Sequence, residues 1–412
     1  MRSLSYKEKK RKNTPKVELH SIDSLIVGSY KTGKTRLWKE VTELHYANHE
    51  EVLLLAFEPG YETWELENII PIHEEGSGDD LWKVWHYFKN ELVPELVREA
   101  KEKRVVKLLG IDTADRCIDA ATAWLLKDRA SKYGVKKIAT LQELTEVSKG
   151  NENGYTVLHD EMKKPFDALK NAGYGKMSLA WTKEKETTLY NGMKYNSIEL
   201  MMHQTGRKIF ESQASLICCL FNEVLVYDKS GNELNDNLKD KRGKEKGSNF
   251  HETRTVMVFR PTEYISIAGG RYTDLPDEPT EYGSQSFLNV FEKAVKGQLK
   301  KTNKTIEVLK TEQEVELKEK VRLLTEKSEK ENIVAQPVRP GNENINPAIS
   351  ELIGKITKQV DRFNVSINPV IVPRFKQIFG DTADYKKVTD IAKLTEAYIY
   401  ISGLESDPPL KK

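Results

Sequence analysis

The sequence has little of several features that mark particular classes of protein. It has three cysteines in 412 residues and no Cys-x-x-Cys pair, which excludes a disulfide framework and a zinc site built from such pairs. Its eight histidines have no metal-ligand spacing. No apolar run approaches the roughly 18 residues that cross a bilayer, and residues 1–16 lack the apolar stretch of a signal peptide. We therefore expect a cytoplasmic protein that does not span a membrane.

The chain also lacks a strong excess of charge, with 65 Lys and Arg against 63 Asp and Glu and a net charge of +2. This balance excludes a strongly basic nucleic-acid clamp and a strongly acidic solvating protein. It hides a basic arm, because residues 1–16 carry seven Lys and Arg and one Glu. Such an arm can contact phosphates, and a solvated terminus is the alternative interpretation.

The pattern of apolar runs predicts an α/β fold over residues 17–295. Short continuous apolar runs, typical of buried parallel strands, alternate there with amphipathic stretches, so we expect a mainly parallel sheet. A polar segment over residues 228–252 predicts a loop or hairpin tip between two strands. The predicted strands are Ser24–Val27, Val52–Phe57, Val105–Ile111, Met177–Trp181, Leu216–Val226 and Thr255–Phe259.

The last quarter of the chain has a different composition. Residues 296–347 predict an exposed charged helix followed by a proline-containing linker. Residues 348–412 predict a small helical domain, because apolar side chains recur there at helical spacing in two stripes. The stripes are Ile349, Leu352, Ile353, Ile356, Val360 and Phe363, and Val388, Ile391, Leu394, Tyr398 and Ile399.

The strongest motif is GSYKTGKT at residues 28–35, which matches G-x-x-x-x-G-K-[ST] with an apolar run before it and a helix pattern after it. Glycines let backbone N–H groups close around phosphates, and the following helix N-terminus favours negative charge. Lys34 would reach the β- and γ-phosphates, and the Thr35 hydroxyl would bind Mg²⁺, whereas the Lys31 side chain is expected to face solvent. The predicted nucleotide-binding residues are Gly28, Ser29, Tyr30, Lys31, Thr32, Gly33, Lys34 and Thr35.

Two carboxylates follow apolar runs and could complete such a site. Asp112 ends the third run and would hold Mg²⁺ directly or through water; the alternative role, capping the next helix, suits Asp115 better. Hydrolysis also needs a carboxylate that orients or deprotonates water. From the residues alone, Glu58, Glu62 and Glu65 are nearly equivalent candidates for that role.

The order of these segments resembles the RecA-type ATPase core, and more closely the phage-encoded RecA-like ATPases of the single-strand annealing and recombination group. The resemblance covers about residues 20–295 and rests on LIVGSYKTGKT, LLLAFEPG, LLGIDTAD, LHDEMKKPFDALKNAGYGK, MSLAWTKEKE and GGRYTDLPDE. It implies that Glu58, on the strand beside the Asp112 strand, is the catalytic carboxylate. It also implies that Lys34 is catalytic and that ATP and Mg²⁺ are the ligands.

The resemblance further implies roles after the fourth strand. Thr182 would lie between the P-loop strand and the Asp112 strand and sense the γ-phosphate, although WTKEK departs here from the usual histidine. Lys183 and Lys185 would act on a neighbouring subunit's nucleotide, or simply face solvent. A flexible loop from Glu186 to Arg207 would contact single-stranded DNA by stacking and phosphate contacts, unless it packs on the core through its methionines. The candidate DNA contacts are Tyr190, Lys194, Tyr195 and Arg207.

Taken together, these features predict a Mg²⁺-dependent ATPase that acts on single-stranded DNA in phage recombination, annealing or replication, in the host cytoplasm. We expect a ring or filament of identical subunits and a partner, such as a single-strand-binding protein, for the C-terminal domain. One alternative is a P-loop NTPase that acts on protein partners as a loader, motor or assembly switch. Another is a scaffold that binds ATP without hydrolysing it.

Overall fold

The fold is built around a sheet whose strands come mostly from the first 260 residues. The computed structural model describes residues 13–188, 192–227, 250–299, 304–334, 347–360, 371–379, 385, 388 and 390–404. Most of the basic arm, the polar segment after residue 227 and the linker before residue 347 lie outside the described residues. The predicted division of the chain at residues 16, 295 and 347 stays a prediction. Spatial contacts separate two compact units, residues 1–329 and 330–412.

The strands of the described residues are β1 (Asp23–Gly28), β2 (Val52–Ala56), β3 (Ile69–Ile70), β4 (Leu108–Asp112), β5 (Gly175–Thr188), β6 (Lys194–Leu200), β7 (Leu216–Tyr227), β8 (Phe250–Val258), β9 (Gly269–Gly270) and β10 (Thr280–Glu281). They form a sheet in the order β10-β8-β7-β1-β5-β4-β2-β3, with β6 paired to β5 and β9 paired to β7. Strands β1, β2, β3, β4, β5 and β7 are parallel to one another. The remaining pairings are antiparallel. The predicted α/β fold with a mainly parallel sheet is confirmed.

The helices of the described residues are α1 (Lys34–His45), α2 (Trp82–Tyr87), α3 (Val93–Lys103), α4 (Ala114–Tyr133), α5 (Leu141–Val147), α6 (Gly154–Asn171), α7 (Gln204–Ile209), α8 (Ser284–Gln298), α9 (Ile306–Val334), α10 (Pro347–Val360), α11 (Ile371–Phe379) and α12 (Ile391–Ser402). A π-helical turn, Phe88–Leu92, joins α2 to α3. None of the helices that the structure describes is both long and apolar enough to span a bilayer.

Helices cover both faces of the sheet, because successive side chains of a strand point to opposite sides. On β1, Leu25 and Val27 lie in one hydrophobic cluster with α3, α4 and α6. Ile26 lies in a second cluster with α1 and α8. Every residue of β1 and β4 is buried, as expected for central parallel strands. This packing brings the carboxyl ends of β1, β5, β4 and β2 side by side at one edge of the sheet.

The third predicted strand begins three residues later than expected, at Leu108 rather than Val105. The reason is a competing acceptor. The backbone N–H groups of Val105 and Val106 donate to the carboxylate of Glu99, a residue of α3, at 2.6 and 3.2 Å. They therefore do not join the sheet ladder, and an apolar sequence that suits a strand remains outside it.

Helix α9 was predicted to be exposed, and that is wrong for its first turns. Leu309 and Gln313 are buried against the segment that precedes β1. The Gln313 side chain accepts a hydrogen bond from the Val17 N–H at 3.2 Å and donates one to the Pro15 carbonyl at 2.7 Å. Lys310 adds an ion pair with Glu18 at 2.8 Å. Periodicity missed this contact because a single buried glutamine, not an apolar stripe, fixes the helix.

We expect Gln313→Leu to destabilise the first unit. The substitution leaves the Val17 N–H and the Pro15 carbonyl without their partner in a buried place, which costs about 2 kcal/mol and lowers Tm by about 3–6 °C. The matched control is Val315→Ala, an exposed residue of the same helix. Equal Tm values for the two variants in a thermal melt would contradict the assignment.

The second unit contains α10, α11 and α12 around a small core. Its buried side chains include Ile356, Phe375, Leu394 and Ile401. The predicted helical character of this region is confirmed, but the second predicted stripe is partly wrong. Ile399 is 66 % exposed, because the buried face of α12 runs through Leu394, Ala397 and Ile401 instead. Phe363, from the first stripe, lies outside the described residues.

Candidate active site

The loop between β1 and α1 has the conformation of a phosphate-binding loop. Gly33 has a φ of 87° in the left-handed region, and a Cβ there would lie 2.7 Å from the Tyr282 hydroxyl. At Gly28 a Cβ would meet the Thr32 hydroxyl at 2.5 Å. Both glycines are therefore required by the tight path of the loop. The Lys31 side chain is exposed, as the sequence predicted.

Lys34 begins α1 and its side chain folds back across the loop. Its Nζ donates to the carbonyl oxygens of Gly28 and Ser29, at 3.0 and 2.8 Å. Burial lowers the pKa of Lys34, and the negative charges of Asp112 and Glu58 oppose that change. The structure therefore holds one ammonium group at the inner wall of the loop, facing two carboxylates.

Thr35 and Asp112 lie next to each other, although 77 residues separate them in the sequence. The Thr35 hydroxyl donates to Asp112 Oδ2 at 2.7 Å. The other oxygen of this carboxylate, Oδ1, is buried without a hydrogen-bond partner among the described residues. Burial raises the pKa of Asp112 to about 6. A hydroxyl beside a carboxylate with an unsatisfied oxygen is a donor set that suits Mg²⁺, so the residues fit this ion.

Glu58 follows β2 and is brought to the same place. A Cβ built on Gly60 would lie 3.7 Å from Glu58 Oε1, 3.7 Å from the Thr35 hydroxyl and 3.8 Å from Asp112 Oδ2. Burial and the charge of Asp112 raise the pKa of Glu58 to about 7. The other two candidates, Glu62 and Glu65, are exposed. Of the three glutamates that the sequence left equivalent, Glu58 is the one that faces Asp112.

The first half of β5, up to Trp181, lies between the P-loop strand and the Asp112 strand. Trp181 is paired in register with Gly28 of β1, and β4 pairs along the other side of β5. Thr182, the expected γ-phosphate sensor, follows it and is buried. The Trp181 ring packs against Tyr30 of the P-loop, with ring centroids 4.8 Å apart.

Asp115 does not cap the helix that follows β4, as the sequence had suggested. Thr113 occupies the N-cap position and Asp115 lies in the first turn of α4. Its Oδ2 instead accepts the Trp181 N–H at 2.8 Å. Asp115 thus fixes β5 at Trp181, next to the P-loop, a role that depends on the pairing of β4 with β5 and could not be predicted from local sequence.

The segment expected to be a flexible DNA-binding loop is mainly regular structure. β5 continues to Thr188 and pairs with β6 in an antiparallel hairpin, and α7 follows. Lys183 is exposed on this hairpin, and Met202 is buried in the core behind it. Tyr190 lies outside the described residues. Alternating polar residues across two strands gave no apolar run, which is why the sequence suggested a loop.

Three cationic residues that were predicted to contact DNA or a neighbouring subunit's nucleotide form ion pairs within the chain. Lys185 pairs with Glu199 at 3.3 Å, and Lys194 pairs with Glu186 at 2.8 Å. Arg207, on α7, pairs with Glu211 at 2.5 Å. Tyr195 is partly exposed on β6. The structure therefore gathers Lys183, Lys185, Lys194 and Tyr195 on one hairpin and sets Arg207 apart on a helix.

Two residues beside the loop were missed by the sequence analysis. Tyr282, which follows β10, donates its hydroxyl to the Gly33 carbonyl at 2.9 Å, and Arg36 lies over its ring. No local signal marks Tyr282, since 249 residues separate it from Gly33. Arg116, in the first turn of α4, has its guanidinium carbon 5.0 Å from the centre of the Trp181 ring. Its position four residues after Asp112 was the available signal.

The parallel sheet, the loop geometry and the facing Thr35 and Asp112 define a P-loop NTPase domain. A family model described as an AAA domain matches residues 20–259, more than half of the chain, and the protein therefore belongs to this family. No curated protein matches the chain.

Proposed function

We propose that the protein is a Mg²⁺-dependent ATPase that uses Lys34, Thr35, Asp112 and Glu58. The observation that carries the proposal is the convergence of three side chains beside Gly60. The Thr35 hydroxyl and one carboxylate oxygen each of Asp112 and Glu58 lie 3.7 to 3.8 Å from the position that a Cβ on Gly60 would occupy. A scaffold that only binds ATP needs the loop and no carboxylate of raised pKa. The pKa of about 7 at Glu58 suits a general base near neutral pH.

In the proposed reaction, the loop N–H groups and Lys34 bind the β- and γ-phosphates. When bound, Mg²⁺ at Thr35 and Asp112 offsets the negative charge of these phosphates. Glu58 orients a water and accepts its proton as the water oxygen forms a bond to the γ-phosphorus. The bond from that phosphorus to the bridging oxygen breaks, and its electron pair stays with ADP. Thr182, which follows Trp181 in β5, is proposed to respond to the γ-phosphate.

We further propose that the ATPase acts on single-stranded DNA, as the resemblance to RecA-like phage proteins of recombination, annealing or replication suggests. One observation supports a site on the β5–β6 hairpin: it starts at Trp181, which contacts the P-loop residue Tyr30, so a ligand there can influence the nucleotide site. Tyr195 offers a stacking surface. Because its lysines are largely ion-paired, we expect salt to weaken DNA binding only modestly.

The remaining proposals follow from the resemblance. Lys183 and Lys185 would reach a neighbouring subunit's nucleotide in a ring or filament. The C-terminal unit would bind a protein partner, such as a single-strand-binding protein, and the protein would work in the host cytoplasm. The runner-up function is a loader, motor or assembly switch that acts on protein partners without DNA contact.

The test is ATP turnover with Mg²⁺, with and without single-stranded DNA, together with DNA binding by fluorescence anisotropy. We expect turnover to rise when DNA is added. Tyr195→Ala should weaken DNA binding about tenfold, because one stacked base contributes about 1–3 kcal/mol, whereas Tyr195→Phe should retain it. A turnover rate that does not change when DNA is added, together with no change in anisotropy, would favour the protein-partner function. Absence of any turnover would favour the scaffold.

A further inference from the structure

Arg116 is a cation that the proposed reaction does not yet use. It lies in the first turn of α4, on the helix that starts directly after Asp112. Its side chain is half exposed and its Nη1 lies 3.2 Å from Asp119 Oδ2, one turn along the same helix. Exposed ion pairs of this kind contribute about 0–1 kcal/mol, so the guanidinium can exchange this partner for another at little cost.

The Trp181 ring holds Arg116 at the phosphate end of the site. The guanidinium carbon lies 5.0 Å from the centre of this ring, a cation–π contact. Trp181 is itself fixed, because its N–H donates to Asp115 and its ring packs against Tyr30 of the P-loop. Arg116 is also close enough to Glu58 for its positive charge to oppose the raised pKa of that carboxyl.

The charges around the site are unevenly distributed. Lys34 is one buried cation, whereas two carboxylates, Asp112 and Glu58, converge near the Thr35 hydroxyl. In phosphoryl transfer, negative charge spreads over the equatorial oxygens of the γ-phosphate, and an arginine can stabilise that charge in addition to the P-loop lysine and Mg²⁺. Lys185 was predicted to act on the nucleotide of a neighbouring subunit, but it forms an ion pair with Glu199.

We propose that Arg116 donates hydrogen bonds to the γ-phosphate in the transition state and acts on the nucleotide bound by its own chain. The proposal rests on the proposed ATPase function. Arg116 gives up no proton: the water proton goes to Glu58, the new bond joins the water oxygen to phosphorus, and ADP leaves with the electron pair of the broken bond. Trp181 is a positioning residue that keeps the guanidinium beside the P-loop.

The test compares steady-state turnover and nucleotide affinity in the wild type and two variants of Arg116. Arg116→Ala should lower kcat about 10²-fold, with the Kd for ATP changed less than about threefold, because the contact forms only in the transition state. Arg116→Lys should recover part of kcat, since it keeps the charge but not the planar fork. Added guanidinium ion should partly restore Arg116→Ala.

Two controls separate this role from a structural one. Asp119→Asn breaks the ion pair but keeps the guanidinium, so its kcat should stay close to that of the wild type. Arg98→Ala removes an exposed arginine with a similar pair on α3 and should also leave kcat unchanged. If Asp119→Asn loses as much activity as Arg116→Ala, the ion pair is structural and the proposal is wrong.

Mixing variants decides which subunit Arg116 serves. A mixture of Arg116→Ala and Glu58→Gln chains should turn over ATP no faster than the two variants do separately, because each site lacks one of its own groups. Recovered turnover would mean that Arg116 acts on a neighbour's nucleotide, which would overturn the assignment. If the wild type hydrolyses ATP and Arg116→Ala matches it, the inference alone fails. If the wild type does not hydrolyse ATP, the proposed function fails and takes the inference with it.

Discussion

Replacing Glu58 with glutamine is expected to lower ATP turnover about 10³-fold, while the Kd for ATP stays within about threefold of the wild type. Glutamine keeps the shape of the side chain and its ability to accept a hydrogen bond, but it cannot take a proton from water. The P-loop, Lys34 and Thr35 remain intact, so the phosphates still bind. Steady-state turnover and equilibrium binding of a fluorescent ATP analogue measure the two effects separately.

The matched control is Glu62→Gln, which changes a neighbouring exposed glutamate in the same way. We expect it to turn over ATP at the wild-type rate. A Glu58→Gln enzyme that remains active would move the role of base to Glu62 or to another carboxylate.

The pH dependence of turnover gives a second readout of Glu58. The carboxyl must be ionised to accept a proton, and its pKa of about 7 means that kcat/KM should rise with pH and level off above about 7. Below about 6, protonation of Asp112 should lower it further. The residual kcat/KM of Glu58→Gln should not show this rise with pH near 7.

The raised pKa of Glu58 also predicts how the stability of the fold depends on pH. Because the folded state raises the pKa of Glu58 from 4.5 to about 7, the folded protein binds more protons than the unfolded chain between these values. This carboxyl therefore destabilises the fold increasingly as pH rises across that window, and by a constant amount above it. The Tm of Glu58→Gln relative to the wild type should thus rise by a few degrees from about pH 4.5 to 7. A Tm difference that does not change with pH would contradict the burial of this group.

Replacing Lys34 with alanine is expected to abolish measurable turnover, with a loss on the order of 10³-fold, and to weaken ATP binding about 10- to 100-fold. Lys34 is the buried cation of the loop, within reach of two loop carbonyls at 2.8 and 3.0 Å, and no other lysine of the described residues shares that position. Its loss removes charge-assisted hydrogen bonds to the phosphates both before and during the transfer.

The experiment pairs turnover with nucleotide binding in Lys34→Ala and in Lys34→Met, which keeps the length of the side chain. Lys136→Ala, an exposed lysine beyond α4, serves as the control and should resemble the wild type. The pKa of Lys34 is lowered because burial disfavours its charged form. Removing this charge relieves that cost, so we expect neither variant to unfold the protein, and a thermal melt checks this. Normal ATP binding by Lys34→Met would argue against a phosphate role for the loop.

The sequence by itself determined the parts of the site that are local. The P-loop could be predicted because its glycines, lysine and threonine act at fixed spacing within eight residues, and the turn that they form is mainly local. The α/β class followed equally directly, since continuous apolar runs alternating with amphipathic stretches have few other ways to bury themselves. Asp112 could be predicted for the same reason, because it is the polar residue that ends a buried strand.

Only the tertiary structure decided the rest, because it depends on which distant segments become neighbours. The pairing of β2 with β4 separates Glu58 from Glu62 and Glu65, which local sequence left equivalent. The register of β5 beside β1 brings Trp181 to the P-loop, and with it Arg116 and Asp115. The extension of β5 into a hairpin with β6, and the reach of Tyr282 to Gly33, likewise result from long-range packing. A pattern of apolar residues records that a strand is buried, but not which strand lies beside it.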